Sequence, residues 1–154
     1  MFYRVPLMAL LFCGGGAIAA DSAALEIARR TGLSATEIQQ KLANCDESPT
    51  NLSLCAEHRF IKADIVLAQV YRELAGRREE RSAGSLRRAQ TVWIALRDKN
   101  CEYESSDLDG GTLRAAVSLN CKRRMTEDRI EWVREMLSCT SIRGECRSAK
   151  PVTR

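Results

Sequence analysis

Apolar residues recur three and four positions apart along most of this chain, and short polar, turn-forming clusters punctuate them. That period gathers side chains on one face of a helix. Leu25, Ile27 and Ala28 open a first short helix, which Thr31-Gly32 stops. Ser34, followed three residues later by Glu37, is a capping box for a second one, with Ile38 and Leu42 on its apolar edge. Residues 45–54, with Asp46, Ser48, Pro49 and Asn51, read as a loop. A long helix is predicted from about Leu54 to Arg81, with Ile61, Ile65, Leu67, Ala68, Tyr71 and Leu74 as its buried stripe. Ser82-Ala83-Gly84 breaks it. Another runs from about Ser85 through Cys101, with Leu86, Ala89, Trp93, Leu96 and Arg97 inward. A polar loop fills 104–112, and a last long helix covers about Leu113 to Leu137, with Val117, Cys121, Ile130, Val133 and Leu137 inward. No useful length of sequence alternates with the two-residue period of a strand. The expected fold is all-α: a small disulfide-stapled helical bundle with two long central helices and a C-terminal long helix.

The first twenty residues bear on compartment rather than fold. Arg4 precedes an apolar run from Val5 to Phe12, and Ala17-Ile18-Ala19 offers the small residues of a cleavage site. Residues 1–20 therefore read as a signal peptide cut after Ala19 or Ala20. The run falls short of the roughly 20 apolar residues a span needs, and Gly14-Gly15-Gly16 interrupts it. Phe12 is too bulky for a lipobox ahead of Cys13. No stable membrane anchor is expected after cleavage, and the protein is expected in the periplasm or secreted.

Charge adds little. The chain has 24 basic and 20 acidic residues, and loss of Arg4 leaves 23 against 20. That balance calls for no nucleic-acid or membrane partner. Ala28-x3-Gly32-x5-Ile38 has the spacing of a DNA-binding helix-turn-helix. The leader contradicts that reading. So does a second helix carrying Glu37 and only Lys41 as a cation, since phosphate contacts require more. The stretch is expected to pack as a small helical pair on the main bundle.

Cysteines carry more. Of seven, Cys13 leaves with the leader, and Cys45, Cys55, Cys101, Cys121, Cys139 and Cys146 remain. An even number in an exported chain reads as a disulfide framework. Several connectivities are formally open. Nearest-neighbour pairing (45–55, 101–121, 139–146) is expected because each pair brackets a turn-rich stretch. No CxxC occurs, and the single histidine, His58, is expected on the surface, so no metal or cofactor is anticipated.

Gln90, Trp93, Arg97 and Cys101 fall at offsets of 3, 4 and 4, on one helical stripe, and Cys121, Thr126 and Arg129 form another beyond Gly110-Gly111. Two helices facing each other, bridged Cys101–Cys121, follow from this. Trp93 and Arg97 then read as interior residues, Arg97 paired with a carboxylate such as Asp64 or Glu73, with Gln90 and Thr126 as polar partners and Tyr71 as packing. No HExxH, phosphate loop or G-x-S-x-G elbow is present, so an enzyme is not expected.

Taken in order, Cys45…Cys55, Ala63-Asp64 with Leu67 and Tyr71, Gln90-x2-Trp93-x3-Arg97-x3-Cys101, Gly110-Gly111-Thr112 and Cys121-x4-Thr126-x2-Arg129 resemble the LprI-type lysozyme-inhibitor N-terminal domain family. Leu67-Ala68-x2-Tyr71 departs from the Leu-Asn-x2-Tyr frequent there. The resemblance implies an exported helical protein with disulfides. On that basis the chain divides into a leader (1–20), a short helical pair (21–44), an LprI-like helical domain (45–138) and a disulfide-closed C-terminal extension and tail (139–154). The expected function is a non-enzymatic binding protein. The resemblance implies lysozyme as partner, inhibited by steric occlusion of its cleft. The acids Glu102, Glu104, Asp107 and Asp109 either meet a basic enzyme surface or simply keep their loop soluble. The alternative is an envelope structural or assembly factor that binds another exported protein.

Overall fold

The computed structural model describes residues 21–108 and 111–138. Five α-helices follow one another among them: α1 (Ser22–Thr31), α2 (Ala35–Ala43), α3 (Pro49–Gly76), α4 (Glu80–Glu104) and α5 (Thr112–Ser138). The expected all-α bundle is what forms. The leader, Asp109, Cys139, Cys146 and the tail lie outside the described residues.

Local chemistry sets the ends of the short helices. Asp21 caps α1 by accepting from the Ala23 and Ala24 amides, and Gly32 ends it at φ 74°, a left-handed conformation that a Cβ would strain. The Ser34–Glu37 capping box forms in both directions at α2. His58 was expected on the surface. It is instead largely covered, its Nε2 lying 2.7 Å from Asp21 Oδ2, which ties the cap of α1 to α3.

The long helices differ from expectation at their ends. α3 starts at Pro49, within the expected 45–54 loop, because Ser48 Oγ accepts from the Asn51 amide and Pro49 fits the first helical turn. Asn51 then turns inward, donating to the Asn44 carbonyl at 3.0 Å. The expected break at Ser82-Ala83-Gly84 is helical; the chain turns earlier, between Gly76 and Glu80. Arg77 and Arg78 fix that turn by donating to the Leu137 and Met136 carbonyls of α5, and Ala83 is buried within α4.

Two cores result. Ala23, Ile27 and Ile38 of the short pair close against Leu54 and Ile61 of α3. Farther along α3, Ala63, Leu67 and Leu74 pack with Ile130 and Val133 of α5, and Trp93 of α4 lies against them. Each fully buried Ile or Leu here contributes about 2 kcal/mol of burial free energy. α5 packs mainly on α3, and α4 rests on α5 far more than on α3. That arrangement leaves α4 a narrow inner face. Ala89 and Leu96, expected inward, are exposed on it, Leu96 by 53 %, and Ala68, expected inward on α3, is exposed as well.

Both disulfides lie toward the end of the long-helix region opposite the turn that Arg77 and Arg78 hold. Cys45–Cys55 joins the end of the short pair to α3, with Cα atoms 5.9 Å apart, and Cys101–Cys121 joins α4 to α5 at 5.5 Å. The expected third pair, Cys139–Cys146, falls outside the described residues.

Candidate functional site

The two helix stripes meet where α3, α4 and α5 converge. Arg97 is 6 % exposed, so its guanidinium needs partners. Nη1 donates to Asp64 Oδ1 at 3.2 Å and to Thr126 Oγ1 at 3.3 Å, and Nε donates to Asp98 Oδ1 at 3.1 Å. Asp64, one of the two carboxylates expected, is the partner. Glu73, the other, instead pairs with Arg77. Both aspartates reach solvent while the arginine stem stays inside, the usual compromise for a long cation in a core. The guanidinium also lies 5.0 Å from the Phe60 ring centroid and 5.3 Å from that of Trp93, within cation–π range.

One turn toward the other end, Arg129 repeats the motif. Nε donates to Gln90 Oε1 at 3.2 Å, and the guanidinium sits 4.1 Å from the Trp132 ring and 5.5 Å from that of Trp93. Burial pulls its pKa below the ordinary arginine value, and Tyr71 opposes that shift. Trp93 is therefore held between two cations, and Gln90, Trp93, Arg97, Thr126 and Arg129 form one connected polar-aromatic seam. Phe60, Asp98 and Trp132 complete it. Phe60-x3-Asp64 and Arg129-x2-Trp132 have the same three- and four-residue spacing and could have been found that way.

Cys101 and Cys121 lie at the end of this seam, both buried. Just past them, buried Ser105 ends α4, its hydroxyl donating to the Cys101 carbonyl at 2.9 Å. The tip that follows carries the acids. Glu102 engages Lys99 at 2.7 Å, and this hydrogen bond holds its carboxyl below the usual glutamate value. Glu104 engages Arg124 at 2.5 Å. Asp107 has no ion pair among the described residues, and Asp109 lies outside them. The tip thus presents less free negative charge than its sequence suggests.

A shallow groove of about 590 Å³ runs between α3 and α5, lined by Arg59, Lys62, Arg123 and Arg134 together with Glu127 and Glu131. Arg123 pairs with Glu127, yet its buried Nε finds no partner. Among the described residues no cluster of His, Cys, Asp or Glu could hold a metal, and no helix is long and apolar enough to cross a membrane.

This buried seam and both disulfides fall within a family match: the Lysozyme inhibitor LprI family matches residues 43–133. The chain belongs to the LprI family. The match spans α3, α4 and nearly all of α5 and begins at the last residue of α2. A protein of Rhizobium meliloti (strain 1021), described as uncharacterized, is 26 % identical over 114 residues, covering 64 % of this chain and 82 % of that protein. No solved structure matches the chain. Asp64, Gln90, Trp93, Arg97, Thr126 and Arg129 meet in the seam and Cys101 and Cys121 close its end, whereas Thr112 at the start of α5 is exposed.

Proposed function

We propose that this protein is an exported inhibitor of lysozyme that acts without chemistry of its own, by lodging against the enzyme and blocking access to its sugar cleft. Membership in the LprI family carries the reading. Two disulfides fit an oxidising compartment, where such an inhibitor would meet its target. The Cys101–Cys121 disulfide ties α4 to α5, which limits how far the two helices that flank the acidic tip can separate. Glu102, Glu104, Asp107 and Asp109 are the proposed contacts to a basic enzyme surface. Because Lys99 and Arg124 partly offset the charge of the two glutamates, Asp107 and Asp109 are expected to supply most of the local attraction. A turbidity assay of cell-wall lysis tests this. A molar excess of the mature protein is expected to slow lysis, and Asp107→Asn with Asp109→Asn to relieve the slowing several-fold. Unchanged lysis in the presence of the wild-type protein would end the proposal for the lysozyme used.

The mixed-charge groove between α3 and α5 favours a second reading, an assembly factor that holds another exported protein. Four cations in that groove suit an acidic partner rather than a basic lysozyme. A single stoichiometric partner recovered from the periplasm, lost on Arg59→Glu with Arg134→Glu and unaffected by the tip substitutions, would mark that function.

A further inference from the structure

α4 buries one stripe, Leu86, Gln90, Trp93, Arg97 and Cys101, and exposes another beside it. Ala89, Val92, Leu96, Lys99 and Tyr103 follow at offsets of 3, 4, 3 and 4, the alternation of a coiled-coil seam. Val92 is 69 % exposed, Leu96 53 % and Tyr103 82 %. These are three of the six large exposed apolar side chains among the described residues, and they line up on one helix. No described element covers them, since α4 meets only α5 and, slightly, α3 through its other face. Isolated exposed apolar residues need no explanation, but a run with a pairing period on a rigid helix does.

Charge along the stripe selects the occupant. Arg81 and Arg88 border its first half, and Glu102 borders its second. We propose that α4 pairs antiparallel with α4 of a second copy of this chain. In that orientation Val92 lies against Leu96 of the second copy, and Leu96 against its Val92. Ser85, small and close to Gly84, faces its Tyr103. Arg88 comes beside its Glu102, twice over by symmetry, at the flanking positions that set orientation in such pairs. A parallel pairing would instead set Arg88 beside Trp93 of the second copy and Arg81 beside its Leu86, where no opposite charge meets either. The Lys99–Glu102 pair is exposed on both sides, so Glu102 is free to exchange partners. The seam is short, which places this dimer among weak, reversible associations.

Sedimentation velocity on the mature, oxidised protein over a wide concentration series tests the pairing. The wild type is expected to pass from monomer to dimer within the micromolar range. Leu96→Glu is expected to stay monomeric while melting as the wild type does, because Leu96 supports little within the monomer. Arg88→Glu and Glu102→Arg are each expected to weaken the dimer roughly tenfold through two reversed pairs, and the double variant to restore it. A wild type that remains monomeric throughout, a dimer that Leu96→Glu leaves intact, or a double variant as weak as either single one would each overturn the proposal.

Discussion

Arg97 shows how a charged residue can be the centre of a core. It is held by Asp64, Asp98 and Thr126 and covered by Phe60 and Trp93, so its removal strands polar partners and opens space together. The half-exposed aspartates can rehydrate, which lowers the loss below that of a fully buried pair. Arg97→Ala is expected to destabilise by about 2–3 kcal/mol in urea unfolding, and Arg97→Lys by about 1–2 kcal/mol, because an ammonium cannot serve three acceptors while lying flat between two rings. Equal stability of the lysine variant and the wild type would show that charge alone matters there. At the first helix, hydrogen bonds from Arg29 and Arg30 hold the Glu26 carboxyl down to about 2. Burial raises the Asp21 carboxyl, but the His58 hydrogen bond and charge and two backbone amides outweigh it and leave it low. Both folded pKa values lie below the unfolded ones. Their stabilisation is therefore present above the ordinary carboxylate range and lost as pH falls through the folded values. For Glu26 the window runs from its ordinary 4.5 down to about 2. Melting curves of Glu26→Gln and wild type are expected to differ above that window and to converge toward its lower end.

At the scale of elements, what was legible followed from residues that act locally or repeat. Thr31-Gly32, the Ser34–Glu37 box and the spacing of Gln90, Trp93, Arg97 and Cys101 each specify structure through near neighbours, and the structure follows them. Ser34→Ala is expected to cost about 1 kcal/mol by removing one half of the box, measured as a shift in the urea midpoint. Errors arose where a distant contact decides. Gly84 looks like a stop, but α4 continues through it because Ala83 is buried and Arg77 and Arg78 clamp the preceding turn onto α5. Leu96 looks like core by its apolarity, but no helix lies over that side of α4. The Ser48-Pro49 start of α3 was readable from capping chemistry and was obscured by the turn-like composition around it. The disulfides belong to this scale too. Cys101–Cys121 closes 20 residues and Cys45–Cys55 closes 10. Chain entropy in the unfolded state assigns about 3 kcal/mol to each, slightly more for the longer loop. Replacing Cys101 and Cys121 together by Ser is expected to lower stability by about that amount and to leave the helix content measured by circular dichroism near that of the wild type.

The whole molecule is two cores strung on one helix. α1 and α2 touch α3 and each other, while α4 and α5 close the rest of α3. The first core is small: Ala23, Ile27 and Ile38 on one side, Leu54 and Ile61 on the other. The second spans three long helices and is reinforced by the Arg97 and Arg129 seam and by a disulfide. The matched family region begins where α2 ends, so the second core lies within it, while the α1 and α2 side of the first core precedes it. Free energy of opening should therefore be uneven along the chain. Cys45–Cys55 keeps the short pair tethered when it opens, but the tether fixes only its last residues and leaves Asp21–His58 and five buried apolar side chains to hold the remainder. Hydrogen exchange read by mass spectrometry is expected to release the amides of 23–43 well before those of 61–75, 90–104 and 116–136. Ile27→Ala should hasten the first group, by opening a cavity in the small core, while leaving the others nearly unchanged. Exchange of all segments at one common rate, moved together by Ile27→Ala, would mean that α3 couples the two cores into a single cooperative unit.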